Sequence, residues 1–197
     1  MLFRSRFIKR LWKAVHDHAS QGPAEPLDKT ALTDEQRALR RQSHHTLAKV
    51  TDDIGRRRTF NTAIAAVMEL LNAVARFPGK QAHDRSVVQE ALEIAVLTLS
   101  PIIPHVTHAL WRHLGHGNAL IDEPWAAVDP EAMLSVTRQL VVQVNGKLRA
   151  HITVAVDADE ATVRAAALAD GNVQKFIGNS PVRKVINVPG KLVNIVV

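Results

Sequence analysis

There is no cysteine in the 197 residues. That excludes disulfides, thiol nucleophiles and every cysteine-based zinc or iron–sulfur site, and it fits a reducing, cytoplasmic setting. No apolar run approaches the ~20 residues that span a bilayer, so no membrane partner is expected. The start, Met1-Leu2-Phe3-Arg4-Ser5-Arg6-Phe7-Ile8-Lys9-Arg10, is basic but lacks the continuous apolar core of a secretory signal. An amphipathic, arginine-rich start is also the pattern of an organelle transit peptide. The bundle-like spacing of its apolar residues favours a folded first helix. A Ser/His/Asp constellation, a glycine-rich phosphate loop and a paired-acid signature are missing too. His105 and His108 lie three apart and His44 and His45 are adjacent, but zinc needs further ligands that the spacing does not supply. Helix caps or surface positions are the plainer reading, and no metal is expected.

What is present is ordinary in bulk and basic in charge. The chain is 46% hydrophobic and 22% charged, as soluble globular proteins are, and long enough for one domain or two small ones. Its net charge is +6, which favours nucleic acid or another polyanion as partner.

The stretch from Phe60 to Ala75 is apolar nearly all round, with Phe60, Ile64, Val67, Leu71 and Val74 at helical spacing. Such a helix is expected at the centre of a bundle, with others packed around its alanines. Before it, a helix over about 4–18 carries the stripe Phe3, Phe7, Ile8, Leu11, Trp12, Val15. A Pro- and Gly-containing loop follows. A second helix opens at Thr33, where Gln36 three residues on completes a capping-box pattern. Its stripe runs through Leu39, Leu47, Val50 and Ile54. Arg37, Arg40, Arg41, His44, His45 and Lys49 are expected on its outer faces. After the central helix come one over about 84–99, a break at Pro101 and Pro104, and one over about 105–114.

Beyond Gly115 the pattern changes. Residues 117–137 read as an irregular connector. From Gln139 the period becomes two, and Asn145-Gly146 is a strong hairpin signal because both residues accept positive φ. A helix over about 159–169, a shorter one over 173–177 and a second hairpin across Pro189-Gly190 follow. The expected class is α+β: an all-α bundle over 1–116, then a small α+β domain with two hairpins over 138–197.

The first hairpin is expected to place Gln143, Lys147, Arg149, His151 and Thr153 on one face and the aliphatics on the other. Arg183, Lys184 and Lys191 belong to the second hairpin. From Arg138 onward there are eight Lys and Arg against four Asp and Glu, 8 − 4 = +4, most of the whole excess. Such a face is either a solvated surface or a phosphate contact; the uneven clustering favours phosphate, which gives affinity rather than base reading. Arg56-Arg57-Arg58 either meets phosphates or pairs with Asp52, Asp53 or Glu69.

Three groups of residues carry a family resemblance. Thr51-Asp52-Asp53-Ile54-Gly55-Arg56-Arg57 with Phe60-Asn61-Thr62-Ala63-Ile64-Ala65 resembles the tRNA-binding helical domain of leucyl-tRNA synthetases. Ser100-Pro101-Ile102-Ile103-Pro104-His105 is similar to that family's helix break. Val142-Gln143-Val144-Asn145-Gly146-Lys147-Leu148-Arg149 and residues 182–194 resemble its C-terminal domain, in the bacterial type. The resemblance covers essentially the whole chain in the family's order.

It implies the C-terminal part of a longer enzyme that joins leucine to its tRNA with ATP and magnesium. The catalytic and editing domains, partners within the parent chain, would precede Met1. The implied role is non-catalytic, with no cofactor held here: the bundle lies along the body of leucine tRNA, and the terminal domain meets the outer corner where the D and T loops join. The chain is expected to be a monomer. Carried onto this sequence, the RNA-binding positions are Asn145, Lys147, Arg149, Arg183, Lys184 and Lys191, with Arg56 and Arg57 as weaker ones. Asn187 departs from the pattern, standing where a more apolar or aromatic residue is expected. His113-Leu114-Gly115-His116 matches the ATP-binding signature of class I synthetases, but it closes a helix instead of following a strand, and it is read as coincidence. The opposing reading is a basic helical scaffold for a protein partner, without any RNA role. A third, an enzyme acting alone, requires ATP binding to this chain.

Overall fold

The computed structural model describes residues 2–79, 83–134, 137–178, 180–188 and 190–197, with side chains from Ser5 in the first helix and from Arg138 in the first strand. It divides into two compact units, 1–134 and 135–197. The class is the expected α+β, helices first and strands last.

The first unit is built from α1 (Leu2–Ala19), α2 (Asp34–Gly55), α3 (Phe60–Arg76), α4 (Asp84–Leu99), α5 (Pro104–His113) and the short α6 (Pro130–Met133). Local chemistry sets the ends. Thr33 Oγ1 accepts from the Gln36 amide at 3.3 Å and Gln36 Oε1 accepts from the Thr33 amide at 2.9 Å, the reciprocal cap that the spacing predicts. Pro104 opens α5, where its missing N–H costs nothing.

The central helix is α4, not α3. Val87, Ala91, Leu92, Ala95 and Val96 of α4 have no exposed surface, whereas Phe60 at the start of α3 is 46% exposed and Ala65 and Ala75 face solvent. Alanine exposes so little apolar area that leaving it outside costs little. A helix rich in alanine therefore reads as buried all round without having to be. The polar residues of α4 disguise its central place; one of them, Glu90, faces an interior polar cluster.

That cluster corrects the reading of Arg40 and His44 as outer residues. Both are buried on α2. The Arg40 guanidinium bonds Glu90 of α4 at 3.1 Å and Asp129 at 2.6 Å. His44 Nε2 lies 3.2 Å from Glu90, and its Nδ1 accepts from the Asp129 amide at 3.1 Å. Lys29 reaches the same Asp129 oxygen at 2.9 Å, while the other oxygen caps α6 through the Glu131 amide. A buried cation requires such partners. The effect is to lay residues 125–134 onto α2, assisted by Trp125 donating to Thr51 Oγ1 at 2.8 Å. The stretch expected as connector is therefore folded onto the bundle through residue 134.

The second unit holds β1 (Thr137–Val144), β2 (Lys147–Ala155), α7 (Glu160–Ala169), α8 (Gly171–Ile177), β3 (Lys184–Val188) and β4 (Leu192–Val196). The sheet order is β2-β1-β4-β3. β1 pairs antiparallel with β2 and parallel with β4, so one strand joins the two hairpins. Leu140, Val142, Val144, Ala150, Ile152, Val154, Val193 and Ile195 pack under Val163 and Ala167 of α7 and Val173 of α8. The helices cover one sheet face only. Asn145 and Gly146 take φ of 50° and 76° in the first turn. In the second, Gly190 has φ 71°, and Pro189 lies outside the described residues.

Two outcomes check this core. Leu92→Ala should lower bundle stability by about 2–5 kcal/mol, the range for emptying a filled interior. Urea unfolding followed by tryptophan fluorescence reads this unit alone, since Trp12, Trp111 and Trp125 all lie in it. A loss under ~1 kcal/mol would return the centre to α3. The second outcome concerns acid. Hydrogen bonds from Arg40, then Lys29, hold the Asp129 carboxyl below its ordinary value of 3.8. A depressed carboxylate contributes stability that is present above its unfolded value and is lost as pH falls below it. The unfolding midpoint should therefore drop from about pH 5 to pH 2. Asp129→Asn should be less stable at pH 6 and lose less over that range. Identical profiles for the two proteins would remove Asp129 from the clamp.

Candidate nucleic-acid interface

The α2–α3 junction carries the first basic group. Asp53 is buried and accepts from Lys49 at 2.8 Å, from Arg57 at 3.3 Å and from the Thr59 hydroxyl at 3.3 Å. The bond from Lys49 foremost, then those from Thr62 and Thr59, hold its carboxyl below the ordinary carboxylate range. Arg56 forks onto Asp52, its Nη2 at 3.0 Å. Both arginines thus pair one helical turn back, and both stay largely exposed, at 77% and 52% of their side-chain surface. Arg58 follows at φ 55°. Four cations here, Lys49, Arg56, Arg57 and Arg58, face two acids, Asp52 and Asp53, leaving 4 − 2 = +2 on an exposed corner.

The second basic group is on the sheet, and its placement differs from the simple alternation. The β1–β2 register shifts between Val142 and Gln143: Val142 pairs with Ala150, but Gln143 pairs with Leu148. The extra residue is Arg149. A one-residue slip reverses the face of everything beyond it. Lys147 comes opposite Val144, on the helix-bearing side. Leu148, expected in the core, turns out to the open face at 54% exposure. Arg149 folds over α8 instead of sharing a face with His151, its guanidinium carbon 3.7 Å from the centre of the Phe176 ring. Its Nε is buried without a hydrogen-bond partner. A cation over an aromatic face is worth ~0.5–2 kcal/mol, so Arg149 is a packing residue as well as a charge.

The other candidates sort by strand end. Asn145 fastens the first turn to the end of β4: its amide donates to Ile195 O at 2.9 Å and its Oδ1 accepts from the Val197 amide at 3.2 Å. The Arg183 amide donates to Val196 O at 2.8 Å, and Lys184 pairs with Val196. Asn145 and Lys147 on one side and Arg183 and Lys184 on the other therefore lie at the same sheet end as the close of β4, two strand spacings apart from β1 to β3 and three from β2 to β3, or roughly 10–15 Å. Lys147, Arg183 and Lys184 are exposed. Lys191 is exposed in the second turn, at the other end of the β3–β4 hairpin. The structure brings four of the six terminal candidates together and sets Arg149 and Lys191 apart. Asn187 pairs with Val193 on the helix side, its Oδ1 buried and unpartnered.

The acids of this unit avoid the strands. Asp159 caps α7 by accepting from the Thr162 amide at 2.8 Å, and Asp170 caps α8 by accepting from the Asn172 amide at 2.9 Å. Glu160 opens α7 and Asp157 lies in the turn before it. All the strand charge is positive. No sequence pattern pointed to this separation, yet Asp159 and Asp170 sit at helix starts, where N-cap preference would have placed them.

In the bundle, His113 and His116 are helix-end residues. His113 Nδ1 lies 2.9 Å from Ala109 O, and His116 stacks on Trp111 at 3.7 Å while bonding Glu93 at 2.8 Å. Gly115 takes φ 100° between them, as a helix-terminating glycine does. Among the described residues no group of three or more His, Asp or Glu is placed to hold a metal ion. No described helix is long and apolar enough to cross a membrane.

The family described as the anticodon-binding domain of tRNA ligase matches residues 36–165. The chain is 59% identical over 192 residues to the leucine–tRNA ligase of Thioalkalivibrio sulfidiphilus, covering 98% of this chain and 24% of that protein. It is 53% identical over 195 residues to that of Pseudoalteromonas atlantica, covering 98% of this chain and 22% of the relative. A LeuRS–tRNA–LeuAMS ternary complex of Agrobacterium radiobacter K84 superposes with a TM-score of 0.71 at 28% identity, over 97% of this chain and 24% of that one. The chain therefore spans about a quarter of the length of the relatives it matches. With the family match covering well over half of its residues, the chain belongs to the anticodon-binding domain family of tRNA ligases, and it resembles the leucine–tRNA ligases over nearly its whole length.

Proposed function

We propose that this chain is a non-catalytic tRNA-docking part of a leucine–tRNA ligase. Its bundle lies along the tRNA body, and its terminal unit meets the outer corner. The observation that carries the reading is the separation of charge in the terminal unit: cations on the strands and their turns, acids withdrawn to helix caps. Exposed lysines and arginines without acidic neighbours hold phosphates, which position a folded RNA but do not read its sequence. The similarity to a synthetase crystallised with tRNA supports the same partner.

Within this reading Lys147, Arg183, Lys184 and Lys191 hold phosphates directly. Asn145 shapes the turn that presents Lys147, and Arg149 contributes charge from its seat on Phe176. Arg56 and Arg57 hold phosphates more weakly, since each also faces an aspartate. Catalysis, ATP and magnesium belong to the rest of the parent ligase, whose catalytic and editing domains are this chain's intramolecular partners. The chain acts in the cytoplasm and as a monomer.

The test is binding of the 197-residue chain to leucine tRNA and to an unrelated tRNA, each at low and physiological salt. Affinity should fall steeply with salt. Lys147→Ala together with Lys184→Ala should lower the slope of log K against log salt by about 2 and leave the fold intact. Tighter binding to leucine tRNA would place some selectivity here; equal binding would place it in the other domains. No salt-sensitive binding to either tRNA would overturn the proposal in favour of a protein scaffold.

A further inference from the structure

Arg58, in the turn between α2 and α3, is an arginine in the backbone conformation of a glycine. Its φ is 55°. The other described non-glycine residues with positive φ are His83 and Asn145, types that enter this region more readily. Glycine would take it without strain. The turn is built around Asp53, whose side chain is 1% exposed. Its carboxylate holds the Arg57 side chain before Arg58 and the Thr59 hydroxyl after it, both at 3.3 Å. Its carbonyl accepts from the Thr59 amide at 2.8 Å. Arg58 is thus fixed from both sides. Among the described residues Lys49, Arg56 and Arg57 each face an aspartate, while the Arg58 side chain meets no acid and no other polar partner. It is exposed.

We infer that Arg58 is the principal phosphate contact of the α2–α3 corner and that Asp53 is the residue that positions it. The inference rests on the tRNA-docking reading and names the residues through which this corner holds the RNA backbone. A strained conformation persists only where the surrounding structure enforces it, and such conformations gather where a side chain is presented to a ligand. Here no described group of the protein uses that side chain. Its guanidinium is permanently charged, and its planar fork matches two oxygens of one phosphate. Arg56 and Arg57 must loosen an aspartate pairing to make the same contact, and Arg58 need not. The role given to Asp53 runs against charge alone. A carboxylate repels a polyanion, so neutralising Asp53 tightens binding if the corner acts only through its net charge. If Asp53 sets the turn, the same change releases Arg57 and Thr59, lets Arg58 swing, and weakens binding.

The experiment titrates the full 197-residue chain, Arg58→Gly and Asp53→Asn with leucine tRNA over a range of salt, with thermal melting of each protein. Arg58→Gly should melt no lower than wild type, because glycine accepts the turn. It should bind about two- to fivefold more weakly at low salt, the effect of one exposed charge contact. Its slope of log K against log salt should be shallower by about 1. Arg58→Lys, which keeps the charge, should keep most of the slope. Asp53→Asn should weaken binding too, and add no further loss in combination with Arg58→Gly, since both act through one side chain. Thr59→Val removes only the hydroxyl bond to the Asp53 carboxylate; it should give a smaller loss in the same direction and serves should Asp53→Asn not fold. Arg58→Gly binding with wild-type affinity and slope would overturn the assignment of the contact. A folded Asp53→Asn that binds more tightly, or in its place a Thr59→Val that binds as wild type does, would overturn the positioning role. Wild-type chain that binds no tRNA would instead sink the docking reading beneath the inference, a result distinct from these.

Discussion

β1 is the constraint on which the terminal unit depends. It pairs antiparallel with β2 of its own hairpin and parallel with β4 of the other, and that β1–β4 pairing joins the two hairpins. Because side chains alternate strictly along a strand, the register of β1 decides which residues of its neighbours face the helices. The bulge opposite Val142 and Gln143 breaks that alternation once. One displaced residue sends Leu148 outward, folds Arg149 over Phe176 and moves Lys147 to the helix-bearing side. Charge and apolar surface are thereby sorted: lysines at the rim and sheet end, aliphatics across the open face.

The bundle is organised by a different balance. α4 fills the interior with aliphatics along most of its length and offers the Glu90 carboxylate where α2 brings Arg40 and His44 inside. A buried ion pair adds little net stability relative to apolar packing, yet breaking one is costly. The cluster therefore acts on geometry. It fixes where residues 125–134 lie on α2 and hence where the chain leaves the bundle. At the opposite end of α2, Asp53 gathers Lys49, Arg57 and Thr59 and fixes the turn into α3. Both arrangements pin the direction of the backbone with charge.

Much of this was legible in the residues. The Thr33/Gln36 cap, the Asn145-Gly146 turn and the bounds of α4 each follow from local chemistry, and local chemistry is what a sequence displays. The pairing of Arg56 with Asp52 and of Arg57 with Asp53 was legible as one of two alternatives, because it is set by helical spacing. The family was legible from motifs in the right order. What escaped was set at a distance. Arg40 meets Asp129 across 89 residues of sequence, and nothing near either names the other. A signal did exist: stepping back from Val50 and Leu47 by three or four residues leads through His44, Arg40 and Gln36, so those polar residues continue the buried row. The bulge left no comparable trace, since no glycine marks it and Leu148 and Arg149 fit an unbroken strand equally well. The choice of α3 as centre failed because composition counts apolar residues, whereas burial weighs their area.

The account's central claim is that RNA seats against the terminal sheet. Nuclear magnetic resonance of the chain titrated with leucine tRNA tests it most directly, because each amide reports for itself. The account predicts that the largest perturbations fall on Lys147, Arg183, Lys184 and the Asn145 turn, with a smaller set at Arg56 and Arg57. Perturbations confined to the bundle would contradict it.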